Sequence, residues 1–141
     1  MLAPKASPSR SSGEWRVASG EVRHYRDLLV WQKAMDWVEG LYTATRHWPS
    51  DERFGLISQV RRAAVSVPSN IAEGCARRST AEFLRYLSIA RGSLAEVETQ
   101  LILAQRLGYL DEPAAASSLK AADEISRMLA GLITKLEERR K

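Results

Sequence analysis

The chain reads as all-α, an antiparallel up-down-up-down four-helix bundle, and three features predict this. Apolar residues recur at alternating steps of 3 and 4 in four separate stretches, which lays a stripe along one side of a helix and is foreign to a strand. Glycine, proline and capping residues fall between the stretches and leave only short connections, so consecutive helices fold back on one another. A length of 141 residues with 45% apolar content suits one domain with a substantial core.

Residues 1–24 stand outside the pattern. Pro4, Pro8, Gly13 and Gly20 interrupt any period in a segment rich in Ser and Ala, and a flexible tail is expected there. The bundle then occupies residues 25–141, with helices over about 26–47, 51–75, 80–107 and 112–138. In the first helix Leu28, Trp31, Met35, Val38, Tyr42 and Thr45 form the seam. Trp37 and Leu41 lie off that stripe with Val30, which points either to a wide core face or to a second surface buried against another subunit; the second is favoured at this chain length, and Trp37 and Leu41 are the expected contact. Trp48-Pro49 ends the helix because a residue before proline disfavours helical geometry. Ser50 or Asp51 is the expected cap of the second helix, with Glu52 near its positive end.

The second helix carries Ile57, Val60, Ala64, Val67 and Ile71 along one side, with Pro68 inside the stripe. Proline removes a donor and crowds the carbonyl of Ala64, so a bend is expected at Pro68. The amide of Asn70 is placed to meet a freed carbonyl, and Gly74 marks the finish. Ser79-Thr80-Ala81-Glu82 has the spacing of a capping box. Phe83, Leu87, Ala90, Leu94, Val97, Leu101 and Ala104 follow as the cleanest seam, with Gly108 as its stop. Gly92 and Ser93, both small, are expected to let the second helix come close. Asp111-Glu112-Pro113 opens the fourth helix, whose seam is Ser118, Ala122, Ile125, Leu129, Leu132 and Leu136.

The sequence is poor in catalytic groups. His24 and His47 have no partner at metal-binding spacing, and no Gly-Lys-Ser or Gly-Lys-Thr follows a glycine-rich loop. Cys75 is the sole cysteine; it excludes an intramolecular disulfide and reads as a small spacer at a helix end. Neither enzyme activity, nor a metal, nor a cofactor is expected. No apolar run reaches the length of a membrane span, and a reducing, cytoplasmic setting is the expectation.

Charge is more informative. The chain holds 21 basic and 17 acidic residues, a net of +4. Between positions 61 and 91 lie Arg61, Arg62, Arg77, Arg78, Arg85 and Arg91 against Glu73 and Glu82, a local net of +4. Arg77 and Arg78 fall in the turn between the second and third helices, with Arg85 two helical turns on. These six arginines are the candidate nucleic-acid-binding residues, since a guanidinium fork matches phosphate. The alternatives are a solvated turn, with Glu73 pairing to an arginine, and a protein-binding scaffold in which arginine serves solubility.

Gly55-Leu56, Gln59, Arg61-Arg62-Ala63 and the run from Ser66-Val67-Pro68-Ser69 through Asn70-Ile71-Ala72-Glu73-Gly74 form a signature. Tyr25-Arg26-Asp27-Leu28 with Val30-Trp31 precedes it, and Ala90-Arg91-Gly92-Ser93 with Glu96 to Leu101 follows. Together these pieces resemble the 23S rRNA-intervening-sequence proteins, over a span from about Tyr25 to about Leu136. The resemblance extends to the accessory variability determinant of diversity-generating retroelements, a basic bundle that partners a reverse transcriptase. It implies a homopentamer, with nucleic acid or a reverse transcriptase as partner. Within the signature, Pro68, Asn70, Glu73, Gly74 and Gly92 read as structural.

Overall fold

The computed structural model describes residues 24–140; the expected tail at residues 1–24 lies outside the described residues except for His24, which caps a 3-10 turn at Tyr25–Asp27. Four helices make up the fold, α1 (Leu29–Thr45), α2 (Leu56–Cys75), α3 (Thr80–Arg106) and α4 (Glu112–Arg140). Among the described residues there is no strand. Each helix packs on two others, α1 and α3 both against α2 and α4. Contacts pair in opposite chain order. Along α1 and α4, Trp37 Nε1 donates to the Ser118 carbonyl at 3.2 Å while Lys33 meets Glu124 at 2.7 Å.

The expected seam of α3 is buried throughout, and that of α4 from Ala122 onward, with Ser118 only half-buried. Every member of the α3 set from Phe83 to Ala104 is buried, as are Ala122, Ile125, Leu129, Leu132 and Leu136 of α4. The Ser79 side chain accepts from the Glu82 amide at 3.1 Å and caps α3. Gly108 closes it at φ +83, a conformation that disfavours a side chain. Asp111 Oδ1 accepts from the Ala114 amide at 3.0 Å at the entry to α4.

On α1 the buried face is turned from the expected one. Val30, Ala34, Trp37, Val38, Leu41 and Thr45 are buried, whereas Met35 and Tyr42 are each 37% exposed. Trp37 at 6% and Leu41 at 1% exposure are buried in this chain's own core, which leaves them little surface for the expected contact with another subunit. The physical reason is that α1 fills the angle between α2 and α4 and needs a wide apolar face. Val30, Ala34, Trp37 and Leu41 supply the added row, itself spaced 4, 3 and 4.

The entry to α2 also differs from expectation. Ser50 and Asp51 do not cap it; Ser50–Glu52 forms a separate 3-10 turn, and Gly55 is the residue before the helix. The cap comes from Glu52, whose Oε1 accepts the Leu56 amide at 2.9 Å. Its Oε2 accepts a hydrogen bond from the Tyr109 hydroxyl at 2.8 Å, which ties the α1–α2 connection to the α3–α4 connection. A methyl group at Gly55 would stand 2.7 Å from that carboxylate, so glycine leaves the space the cap occupies. The Leu56 amide, and then Tyr109, hold the Glu52 carboxyl below its ordinary range, while the same bond raises the Tyr109 phenol.

Helix α2 continues unbroken through buried Pro68. Asn70 Nδ2 donates to the Ser66 carbonyl and to Ser66 Oγ, both at 2.8 Å, rather than to the carbonyl of Ala64. Ser93 Oγ meets Ser66 Oγ at 2.9 Å and carries this chain of bonds from α2 to α3. The tight approach expected at Gly92 is found at Gly74. A methyl group on Gly74 would lie 2.8 Å from Tyr86 Cβ and 3.2 Å from the Phe83 carbonyl oxygen, whereas one on Gly92 would meet nothing within 4 Å.

These two glycines therefore respond oppositely to substitution. Gly74→Ala is expected to destabilise the fold by about 2 kcal/mol through overpacking, and Gly92→Ala to leave it unchanged or stabilise it by up to about 1 kcal/mol through helix propensity; urea unfolding midpoints measure both. The Glu52 clasp gives a pH dependence. A depressed carboxyl contributes stability above its unfolded pKa, and the contribution is lost as pH falls through the folded value. Stability should thus decline below about pH 4, with a shallower slope in Glu52→Gln, as read by thermal melts across the acid range.

Candidate nucleic-acid interface

The six arginines divide by what their side chains touch. Arg61 is internal to the fold. Its Nε donates to Thr45 Oγ1 at 2.9 Å and its Nη2 to the Tyr42 carbonyl at 3.1 Å, with the guanidinium 4.5 Å from the Tyr42 ring centroid. Thr45, itself fully buried, donates to the Leu41 carbonyl at 2.8 Å. Arg61 thereby satisfies the carbonyl end of α1, where a cation also suits the helix dipole. Its guanidinium is engaged in the packing of the fold.

Arg62, next in sequence, faces outward into a shallow groove of about 580 Å³ between α2 and α3, bordered by Phe54, Ser58, Gln59, Ser93 and Glu96. Arg91 is exposed on α3, with no hydrogen bond or ion pair among the described residues. Arg62 and Arg91 are not part of the group formed at the α2–α3 turn.

That turn gathers Arg77, Arg78 and Arg85. The residues between Cys75 and Thr80 are few because Gly74 lets the end of α2 lie directly on the start of α3. Arg77 Nη2 donates to Glu73 Oε2 at 3.0 Å and to the Tyr86 hydroxyl at 2.8 Å. The hydrogen bond to Glu73 and the neighbouring phenol hold the Arg77 guanidinium in its charged form, above its ordinary pKa. Tyr86 has the Arg77 guanidinium 5.0 Å and that of Arg85 4.8 Å from its ring centroid, which is cation–π range. Arg78 is exposed, with no hydrogen bond or ion pair among the described residues. Sequence spacing indicates three arginines here; Tyr86, around which two of them collect, was not part of that expectation. The signal available for it was its position three residues after Phe83, on the side of α3 that meets Gly74.

Cys75, half-buried at the end of α2, has its thiol pushed above the usual range by burial and then by the nearby Asp27 charge. Among the described residues no group of three or more His, Cys, Asp or Glu side chains is placed to hold a metal ion. Among the same residues, no helix is long and apolar enough to cross a membrane.

The pieces of the sequence signature thus meet in space. Ser66 and Asn70 join Ser93 across the α2–α3 contact, Gly74 sets its closeness, and Glu73 anchors the turn. A family model described as 23S rRNA-intervening sequence protein matches residues 26–131. The chain belongs to that family. A comparison with curated proteins finds no match. For this 23S rRNA-intervening sequence protein the matched span takes in α1, α2, α3 and most of α4, so the family covers the helices that build the arginine turn.

The division among the arginines is open to a stability measurement. Arg61→Ala should lower stability by about 1–2 kcal/mol, because two hydrogen bonds and a ring contact are lost at a partly buried site. Arg78→Ala should stay within about 0.5 kcal/mol of the parent. Urea unfolding of the two variants under the same buffer conditions checks both values.

Proposed function

We propose that this protein is a non-catalytic, oligomeric four-helix bundle that presents the arginines of its α2–α3 turn to nucleic acid, as an accessory to another nucleic-acid-handling protein. The bundle is read as up-down-up-down with a bend of α2 at Pro68, which the opposed order of the α1–α4 contacts and the buried proline support. The observation that carries the function is the pair Arg77 and Arg85 about Tyr86, with exposed Arg78 next in the chain to Arg77. Arg77 is already paired with Glu73, so the cations left for phosphate are Arg78 and Arg85. Binding is then governed by phosphate contacts, with strong salt dependence and little sequence preference.

A homopentamer, the assembly implied by family resemblance, would repeat the turn five times and multiply its field. Trp37 and Leu41 cannot supply the subunit contact because the core uses them. The exposed apolar side chains Phe54 (88%), Leu29 (57%) and Leu107 (50%) are better placed for it. A reverse transcriptase is the partner class that the resemblance offers for such an accessory. Exposed Phe54 also favours a second reading, in which the bundle docks a protein and binds no nucleic acid.

Fluorescence anisotropy with a labelled structured RNA and a matched single-stranded DNA, at low and near-physiological salt, decides between them. The expected outcome is micromolar or tighter binding at low salt, with Kd rising at least tenfold on going to near-physiological salt. An Arg78→Glu/Arg85→Glu variant should bind at least tenfold more weakly, and Arg61→Ala should bind like the parent. Absence of binding at low salt would overturn the nucleic-acid reading in favour of the scaffold.

A further inference from the structure

We infer that the α2–α3 turn engages single-stranded nucleic acid through its bases as well as its phosphates, with the Tyr86–Arg85 pair as the stacking surface. This rests on the nucleic-acid reading of the same turn and narrows its partner. The placement of Tyr86 is what sets the site apart from a solvated cluster of arginines.

Tyr86 is held at both ends of its side chain. Its β-carbon sits where α2 passes closest, 2.8 Å from the position a methyl group on Gly74 would take. Its hydroxyl accepts from Arg77 at 2.8 Å, and Arg77 is braced in turn by Glu73 at 3.0 Å. A ring fixed in this way is already ordered before a ligand arrives, so little conformational entropy remains to be lost on contact. It is only half-buried, which leaves part of the aromatic surface at the protein's exterior.

Arg85 has its guanidinium 4.8 Å from the ring centroid and makes no hydrogen bond or ion pair among the described residues. A guanidinium lying on an aromatic ring offers a flat outer face on which a nucleobase can stack, or it moves aside and yields the ring itself. Arg78, exposed one residue beyond Arg77, is placed to take the adjoining phosphate. Base faces are available in single strands and covered by their neighbours in a duplex. A flat aromatic–guanidinium pair beside a free arginine therefore matches a single strand better than a duplex.

The full-length protein is titrated at one low salt concentration into three labelled probes with equal phosphate number. They are an oligothymidylate, a strand of abasic sugar-phosphate units and a hairpin duplex. The oligothymidylate should bind about tenfold more tightly than the abasic strand, and more tightly than the hairpin. Tyr86→Leu should remove the preference for bases while leaving abasic binding within about twofold, and Tyr86→Phe should retain the preference. Equal affinity for all three probes, with a steep salt dependence, would overturn the stacking inference and leave the phosphate reading intact. An equal loss of abasic and oligothymidylate binding in Tyr86→Leu would also overturn it, since Tyr86 would then only position arginines. Failure to bind any probe would overturn both. If Tyr86→Leu does not fold by circular dichroism, the oligothymidylate-to-abasic ratio of the unaltered protein still decides the question.

Discussion

The contact between α2 and α3 at Gly74 admits no side chain, and much of the molecule depends on that closeness. With the helices this near, a turn of a few residues suffices to join them, and Arg77 and Arg85 converge on Tyr86. The same closeness brings Tyr86 Cβ against α2 and lets its hydroxyl meet Arg77. Further along the two helices, Ser66, Asn70 and Ser93 provide a polar bridge in place of apolar bulk. Hydroxyls and a short amide satisfy one another there without forcing the backbones apart, which a larger pair of side chains would do.

The opposite end of the bundle is secured differently. Glu52 accepts from the first amide of α2 and from Tyr109 beyond α3, so one carboxylate fixes two connections. Trp48, buried, lies with its ring centroid 6.0 Å from that of Tyr109, which adds apolar contact beneath the clasp. Arg61 closes the end of α1 at the flank of the same region. At that end Glu52, Tyr109 and Arg61 are engaged in holding the fold together, while at the α2–α3 turn Arg78 and Arg85 have no ion-pair partner among the described residues.

The helices were legible in the sequence to the extent that large apolar residues marked them. The α3 and α4 seams carry Leu, Ile, Val or Phe at most of their positions, with alanines between them, and they are read directly from their spacing. The face of α1 was misplaced because Ala34 carries little hydrophobic signal although it is fully buried, and because Met35 and Tyr42 appear apolar while standing partly in solvent. The cap of α2 was missed because the acceptor reaches past Gly55 from a separate turn, a route that local capping patterns do not describe. For the site, spacing placed three arginines at one turn. Spacing could not tell Arg61, bound to a hydroxyl and a carbonyl of another helix, from Arg78, whose side chain has no such bond among the described residues. That distinction lives in tertiary contacts.

Cys75 stands next to Gly74, half-buried, with its thiol kept protonated by its surroundings. A protonated, partly covered sulfur reacts slowly with alkylating reagents until the helices around it part. As the sole cysteine of the sequence, it is a built-in chemical clock: its labelling rate reads how often the α2–α3 end opens, at the place where the arginines are held.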